Sequence, residues 1–218
     1  MNNIIGIVVS ILFVIITIAL GKLFEKFGKE ASRKFIHIFL ANWWIIAMIF
    51  FDNMWAAAAV PALFVVVNYI TAKKNLIKFM NRSEEDENAD SLGTVYYALS
   101  LLILALITFG PLNNQLIGLC GIFVMAFGDG LAAVIGKKVK SKKIEILGNT
   151  KSVAGCITML IVTSIIMLGF MYYSQAEYWL LKGIVIAGIM TLVEAVSIKG
   201  TDNITVPLLT ALLAFLMV

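Results

Sequence analysis

Residues 127–155 read FGDGLAAVIGKKVKSKKIEILGNTKSVAG, and their reading decides the fold. An apolar run closes here on a carboxylate, Asp129, set between Gly128 and Gly130. A lysine-rich loop follows, and a second apolar run opens at Lys151-Ser152. These runs lack the period-two alternation of a barrel strand. In hydrocarbon they are helices, because each backbone N–H and C=O must be satisfied within its own segment. A cationic loop between two such helices predicts a chain that turns at a membrane surface and goes back through the bilayer. An ionisable residue at membrane depth is costly and defaults to a functional reading.

The same pattern extends outward over the chain. Of 218 residues, 61% are hydrophobic and 14% are charged, which excludes an ordinary soluble domain. The expected architecture is an all-α polytopic membrane protein, one domain over residues 1–218, built as a bundle of about eight transmembrane helices. The apolar segments are 4–21, 35–51, 54–70, 92–110, 116–135, 152–173, 178–198 and 204–218. The start, MNNIIGIVVS, has no basic lead or small-residue cleavage site and reads as a first span. Cys120 and Cys156 fall inside apolar runs and read as small buried hydrophobes rather than a disulfide. The net charge of +4 is no nucleic-acid signal, because the cations flank the spans.

Those cations set the expected orientation. Loops 22–34, 71–91, 136–151 and 199–203 are basic, whereas the connections at 52–53, 111–115 and 174–177 contain no Lys or Arg. Lys182 is the exception among the 17 basic residues. Basic loops stay cytoplasmic, so both termini are expected on the other side. Asp129, Glu194, Asp202 and His37 then lie at cytoplasmic helix ends or loops, and a site they share faces the cytoplasm.

Several residues have the chemistry to handle a phosphate. Asp129 is an oxygen ligand suited to Mg²⁺, a hard cation that bridges substrate phosphates. Gly128 and Gly130 permit close backbone approach around Asp129. Ala132, Ala133 and Gly136 leave a helix face with little bulk, which suits tight helix packing or a nucleotide lying against it. Lys137, Lys138 and Lys151 can neutralise phosphate charge. Thr150, Ser152 and free N–H groups at the start of the next helix form an anion-binding arrangement. No Walker A loop occurs. Glu194 sits near the end of an apolar helix, and Asp202-Asn203 in a tight turn before the last one. Near the front of the chain, Ser32 is a candidate cap, with Arg33 and Lys34 in the first turn of the second helix and His37 on their face. In loop 71–91, the basic first half is a candidate amphipathic segment and Glu84 to Asp90 a solvated linker.

Four pieces, in order, resemble the CTP-dependent lipid-alcohol kinases: dolichol kinase, phytol kinase and the yeast-type diacylglycerol kinase, relatives of the phosphatidate cytidylyltransferases. They are RKFIH at 33–37, SLGTVYY at 91–97, GDGLAAVIGK at 128–137 and EAVSIKGTDNITVPL at 194–208. The chain departs from the family's K-[ST]-x-E-G pattern, because Ala154 stands where the glutamate would be. Either that carboxylate is dispensable in this chain or its role falls to Glu145 or Glu194. It implies a membrane kinase that moves the γ-phosphoryl of CTP onto a long-chain lipid alcohol in the bilayer. Asp129 and Glu194 are the implied Mg²⁺ ligands, and Glu194 or Asp202 the base. Gly128, Gly130, Gly136, Lys137, Lys138, Thr150, Lys151, Ser152 and Asn203 would hold the nucleotide, with Arg33, Lys34 and His37 closing the site.

Two other readings compete. A cytidylyltransferase would release pyrophosphate, but its family ends in a histidine-containing cluster and this chain has no histidine after His37. A transporter would use Glu194 and Asp129 as an ion pathway, which leaves the lysine loop and GNTKS unexplained.

Overall fold

The computed structural model describes residues 2–74, 92–146, 149–198 and 200–218. The expected basic amphipathic and acidic segments of loop 71–91 lie almost wholly outside these residues, as do Gly148 and Lys199.

Each of the eight apolar segments forms helix. The elements are α1 (Asn2–Phe24), α2 (Lys29–Leu40), α3 (Trp43–Phe50), α4 (Met54–Lys74), α5 (Gly93–Thr108), α6 (Gln115–Phe123), a π-helical segment (Val124–Asp129), α7 (Gly130–Lys138), α8 (Val153–Tyr173), α9 (Trp179–Val196) and α10 (Asp202–Met217). Among the described residues, six helical stretches are long and apolar enough to cross a membrane. Two of these are composite: Lys29–Phe50 joins α2 to α3, and Gln115–Lys138 runs from α6 through the π segment into α7. α5 and α10 are apolar but shorter, 16 residues each. At 1.5 Å per residue they reach about 24 Å, short of a ~30 Å hydrocarbon core. The chain is an all-α multi-pass membrane protein; among the described residues six stretches have spanning length and two further apolar helices are shorter.

The chain divides into two compact units, Met1–Gln115 and Leu116–Val218. In the first, α1 packs on α2, α3 and α4, and α4 packs on α5. Its polar ties are local to the unit. The Trp44 indole donates to the Gln115 carbonyl at 3.0 Å, and Asn68 Nδ2 donates to the Thr94 carbonyl at 2.9 Å. The Tyr97 hydroxyl donates to the His37 carbonyl at 3.0 Å, with the two rings edge to face. The Gly-Thr and aromatic residues of 93–97 thus bind α5 to α4 and α2.

The front of this unit departs from expectation. α2 begins at Lys29, so Arg33 and Lys34 sit in its second turn. Ser32 is not a cap; its hydroxyl donates to the Gly21 carbonyl at 2.7 Å and ties α2 to α1.

In the second unit, α8 packs on α9, α7 and the π segment, and α10 packs on α9 and the π segment. The lysine-rich loop is more ordered than a plain loop. Lys143–Ile146 (β1) and Asn149–Ser152 (β2) pair antiparallel, with Ile144 opposite Lys151 and Glu145 opposite Thr150. This hairpin leads directly into α8.

Candidate active site

The second unit gathers its polar residues where α7, the hairpin, α8, α9 and the start of α10 meet. Asp129 is the last residue of the π segment and is buried, with 7% of its surface exposed. It is not at a helix end, since α7 continues for nine residues to Lys138. One extra residue in a helical turn shifts every later side chain around the axis, and such π bulges recur at functional sites. Here the shift falls in the turn that carries the carboxylate.

Close packing sets α7 against α8. A Cβ on Gly136 would collide with the Ser152 hydroxyl and lie 3.3 Å from the Gly155 Cα. A Cβ on Gly128 would come within 2.7 Å of the Met159 sulfur. These glycines are used for helix packing, one of the two readings open at the sequence level. Gly130 is buried as the first residue of α7.

The start of α8 differs from what GNTKS suggests. Ser152 is the N-cap, its hydroxyl accepting from the Gly155 N–H at 3.1 Å. The Val153 N–H donates to the Lys142 carbonyl at 2.9 Å, and the Ala154 N–H donates to the Ser141 hydroxyl at 3.1 Å. The first three N–H groups of α8 therefore have partners inside the protein and are not free for an anion. Ser141 is thirteen residues from Ala154 and carries no sequence signal for this role.

Strand alternation separates the neighbours of Lys151. Successive side chains of β2 face opposite ways. Thr150 is exposed and Ser152 turns to its cap. Lys151 instead pairs with Glu194 of α9, 43 residues away, through a short hydrogen-bonded ion pair. Glu194 is buried, with 4% of its surface exposed. Burial alone would depress the Lys151 ammonium pKa. The Glu194 carboxylate, by charge and hydrogen bond, and the charges of Asp202 and Asp129 outweigh that and hold it above the ordinary lysine range. The three carboxylates named from the sequence thus share one field, centred on Lys151.

Asp202 opens α10, and its carboxylate accepts from the Asn203 N–H at 2.9 Å. Asn203 Nδ2 donates to the Gly200 carbonyl at 3.3 Å, whereas its buried Oδ1 has no hydrogen-bond partner among the described residues. Pro207, the sixth residue of α10, lacks the N–H that the Asn203 carbonyl would accept in a regular helix. The residue therefore supplies oxygen acceptors beside Asp202, the donor chemistry a hard cation or a hydroxyl-bearing ligand needs. No group of three His, Cys, Asp or Glu side chains close enough to cage a metal occurs among the described residues. Mg²⁺ brought in on a nucleotide does not need one, because one or two carboxylates with phosphate oxygens and water suffice. The residues present fit such an ion.

The remaining candidates divide by unit. Lys137 and Lys138 are exposed in the last turn of α7, where cations complement the helix dipole. Glu145 is exposed on β1, so the carboxylate beside Lys151 is Glu194. Arg33, Lys34 and His37 belong to the first unit. Arg33 forms a forked pair with Glu30, Nε to Oε2 at 3.0 Å and a terminal nitrogen to Oε1 at 2.7 Å. Glu30 is the anion missing from the sequence reading, although its i,i+3 spacing was available. Lys34 is buried.

No family model matches the chain, and no solved structure matches it. Curated proteins do. A phytol kinase from Synechocystis is 29% identical over 195 residues, covering 85% of this chain and 78% of that protein. Phytol kinase 1 of Arabidopsis thaliana is 31% identical over 207 residues, 86% of this chain and 66% of its own length. A probable chloroplastic phytol kinase of Triticum aestivum is 30% identical over 210 residues, 87% of this chain and 68% of its own length. The chain spans about two thirds of the plant proteins. On this likeness the chain belongs to the phytol kinase family of membrane lipid-alcohol kinases.

Proposed function

We propose that the chain transfers the γ-phosphoryl group of CTP to the hydroxyl of a long-chain isoprenoid alcohol, phytol or a close relative, at the cytoplasmic face of a membrane. The observation that carries this reading is the ion pair of Lys151 with the buried Glu194, with Asp129 and Asp202 in its field, in a chain of the phytol kinase family. Phosphoryl transfer has a use for carboxylates around a lysine, because its work is positioning and charge neutralisation.

Lys151 and Glu194 neutralise each other in the nucleotide-free chain. A triphosphate offers Lys151 a second anion, and the exposed Lys137 and Lys138 attract the same charge. Asp129 and Glu194 would hold Mg²⁺ on the nucleotide, which would offset phosphate charge during transfer. Asn203 offers Oδ1 to the nucleotide or the ion. The alcohol oxygen attacks the γ-phosphorus, and the bond to the β–γ bridging oxygen breaks. Asp202, or Glu194 once released, takes the hydroxyl proton. The products are the lipid monophosphate and CDP.

The test supplies purified chain with γ-labelled CTP, UTP and ATP in turn, with phytol, geranylgeraniol, a polyprenol and diacylglycerol, and Asp129→Asn as control. Label from CTP appearing in phytyl monophosphate, and lost in the variant, is the expected result. Pyrophosphate release from CTP with phosphatidate would replace the kinase reading by a cytidylyltransferase. Ion flux in liposomes without any transfer would replace it by a transporter.

A further inference from the structure

α8 lies against different partners at its two ends. Toward its start it packs on α7 and the π segment, closed by Gly136 and Gly155. Toward its other end a cavity of about 320 Å³ is lined by α8 and α6 together. That is at the lower end of small-ligand sites. Its walls are apolar, running from Phe123 and Cys120 to Leu116 on α6, and from Ile165 through Gly169 to Tyr173 on α8.

Three features relate this groove to the polar cluster. First, α6 continues through the π segment to Asp129, so the groove begins six residues below the carboxylate and ends thirteen below it. At 1.5 Å per residue that is about 9 to 20 Å along the helix axis, the reach of an extended isoprenoid tail whose head lies near Asp129. Second, the groove lies wholly within spanning helices, so a chain in it stays in the hydrocarbon while its head is at the polar end. Third, Gly169 interrupts a bulky lining, and a Cβ built there meets nothing within 4 Å. The missing side chain widens the groove.

We infer that the α6–α8 groove is the tail subsite for the alkyl or prenyl chain of the lipid alcohol, with Gly169 setting the chain it accepts. This rests on the lipid-alcohol kinase reading. Moving a tail from lipid to protein gains little hydrophobic free energy, because lipid chains are as apolar as the groove. The groove acts by shape: it holds the tail at a depth that sets the hydroxyl beside the buried carboxylates, and it discriminates between chains by length and branching.

The experiment uses the full chain in lipid nanodiscs and a phytol-length primary alcohol with a diazirine at the end of its tail. Photolysis and peptide mapping read where the tail lies, and labelled phosphate transfer is measured in parallel. Cross-links on the α6 and α8 groove residues, competed by unlabelled phytol but not by equal phospholipid, are expected. Gly169→Leu should cut the groove cross-link and raise the phytol-to-geraniol KM ratio, each by about tenfold. Gly188→Leu adds the same bulk at another open glycine, on α9, and should do neither. Cross-links elsewhere, or equal competition by phospholipid, would overturn the tail subsite and leave an ordinary bilayer chain as occupant. The map on the unsubstituted chain decides this even where the leucine variant does not fold. Competed groove cross-links without phosphate transfer would sink the kinase reading and keep the subsite. Transfer without groove cross-links would do the reverse.

Discussion

Arg33 and Lys151 both hold a carboxylate, in different units and by different means. Arg33 takes Glu30 from the previous turn of its own helix, and both side chains keep a quarter to a third of their surface in contact with solvent. Lys151, on β2, takes Glu194 from α9; the lysine side chain is 23% exposed, much as Arg33 is, but its carboxylate partner is only 5% exposed. The first arrangement stabilises one helix by a few tenths of a kcal/mol and is screened. The second joins α9 to the hairpin at α8 and leaves each partner in trouble without the other. Local pairs are features of sequence spacing. A long-range pair with a buried carboxylate is a feature of the site, and here it coincides with the carboxylates that carry the proposed chemistry.

The strongest way to break this contrast is Glu194→Ala. Turnover in the labelled-transfer assay should fall by about two to four orders of magnitude. Unfolding in detergent should show a loss of about 3 kcal/mol, because Lys151 is stranded. Lys151→Met with Glu194→Leu should recover most of that stability and none of the activity. A double variant as unstable as the single one would mean the two residues are not a coupled unit.

Asp129→Asn separates chemistry from folding. Its turnover should also drop by orders of magnitude, with the unfolding transition within about 1 kcal/mol of the parent. Near-parental turnover would remove Asp129 from the metal assignment.

Gly136→Val tests how the two ends of α8 differ. Its side chain runs into Ser152, and overpacking of this kind costs about 1–3 kcal/mol. The same substitution at Gly169, which meets open space, should cost far less in the same unfolding measurement.

The Lys151 pair also makes a pH prediction. Its folded pKa is raised, so its contribution is whole below the unfolded lysine value of about 10.4 and is lost only as pH rises through the folded value. Detergent-unfolding midpoints should show no step from this pair between about pH 7 and pH 9. A loss of stability across that window that disappears in the double variant would contradict the assignment.

The smallest effect is expected at Arg33→Ala: below about 1 kcal/mol, and smaller still at high salt. A large, salt-insensitive loss would mean that Arg33 and Lys151 are not the different kinds of residue described above.

The sequence by itself determined where the chain is helical and apolar, because hydropathy sums locally and hydrocarbon leaves a backbone no alternative to helix. All eight apolar segments were legible in this way, as were the candidacy of Asp129 and the order of the four kinase-like pieces. Helix bounds were less so: α5 ends at Thr108, short of its apolar run, whereas α2 and α10 start before theirs. Only the tertiary structure decided which groups are available. GNTKS reads as an open anion site, yet Ser141 and the Lys142 carbonyl, supplied by a hairpin the composition does not announce, occupy the N–H groups of α8. The face of Ala132, Ala133 and Gly136 suits packing or a nucleotide by sequence, and the contact of Gly136 with Ser152 and Gly155 makes it a packing face. The partner of Lys151 is 43 residues away, and no spacing rule connects it to Glu194. Such pairings depend on which helix faces meet, and that is settled by packing shape over the whole unit rather than by any one segment.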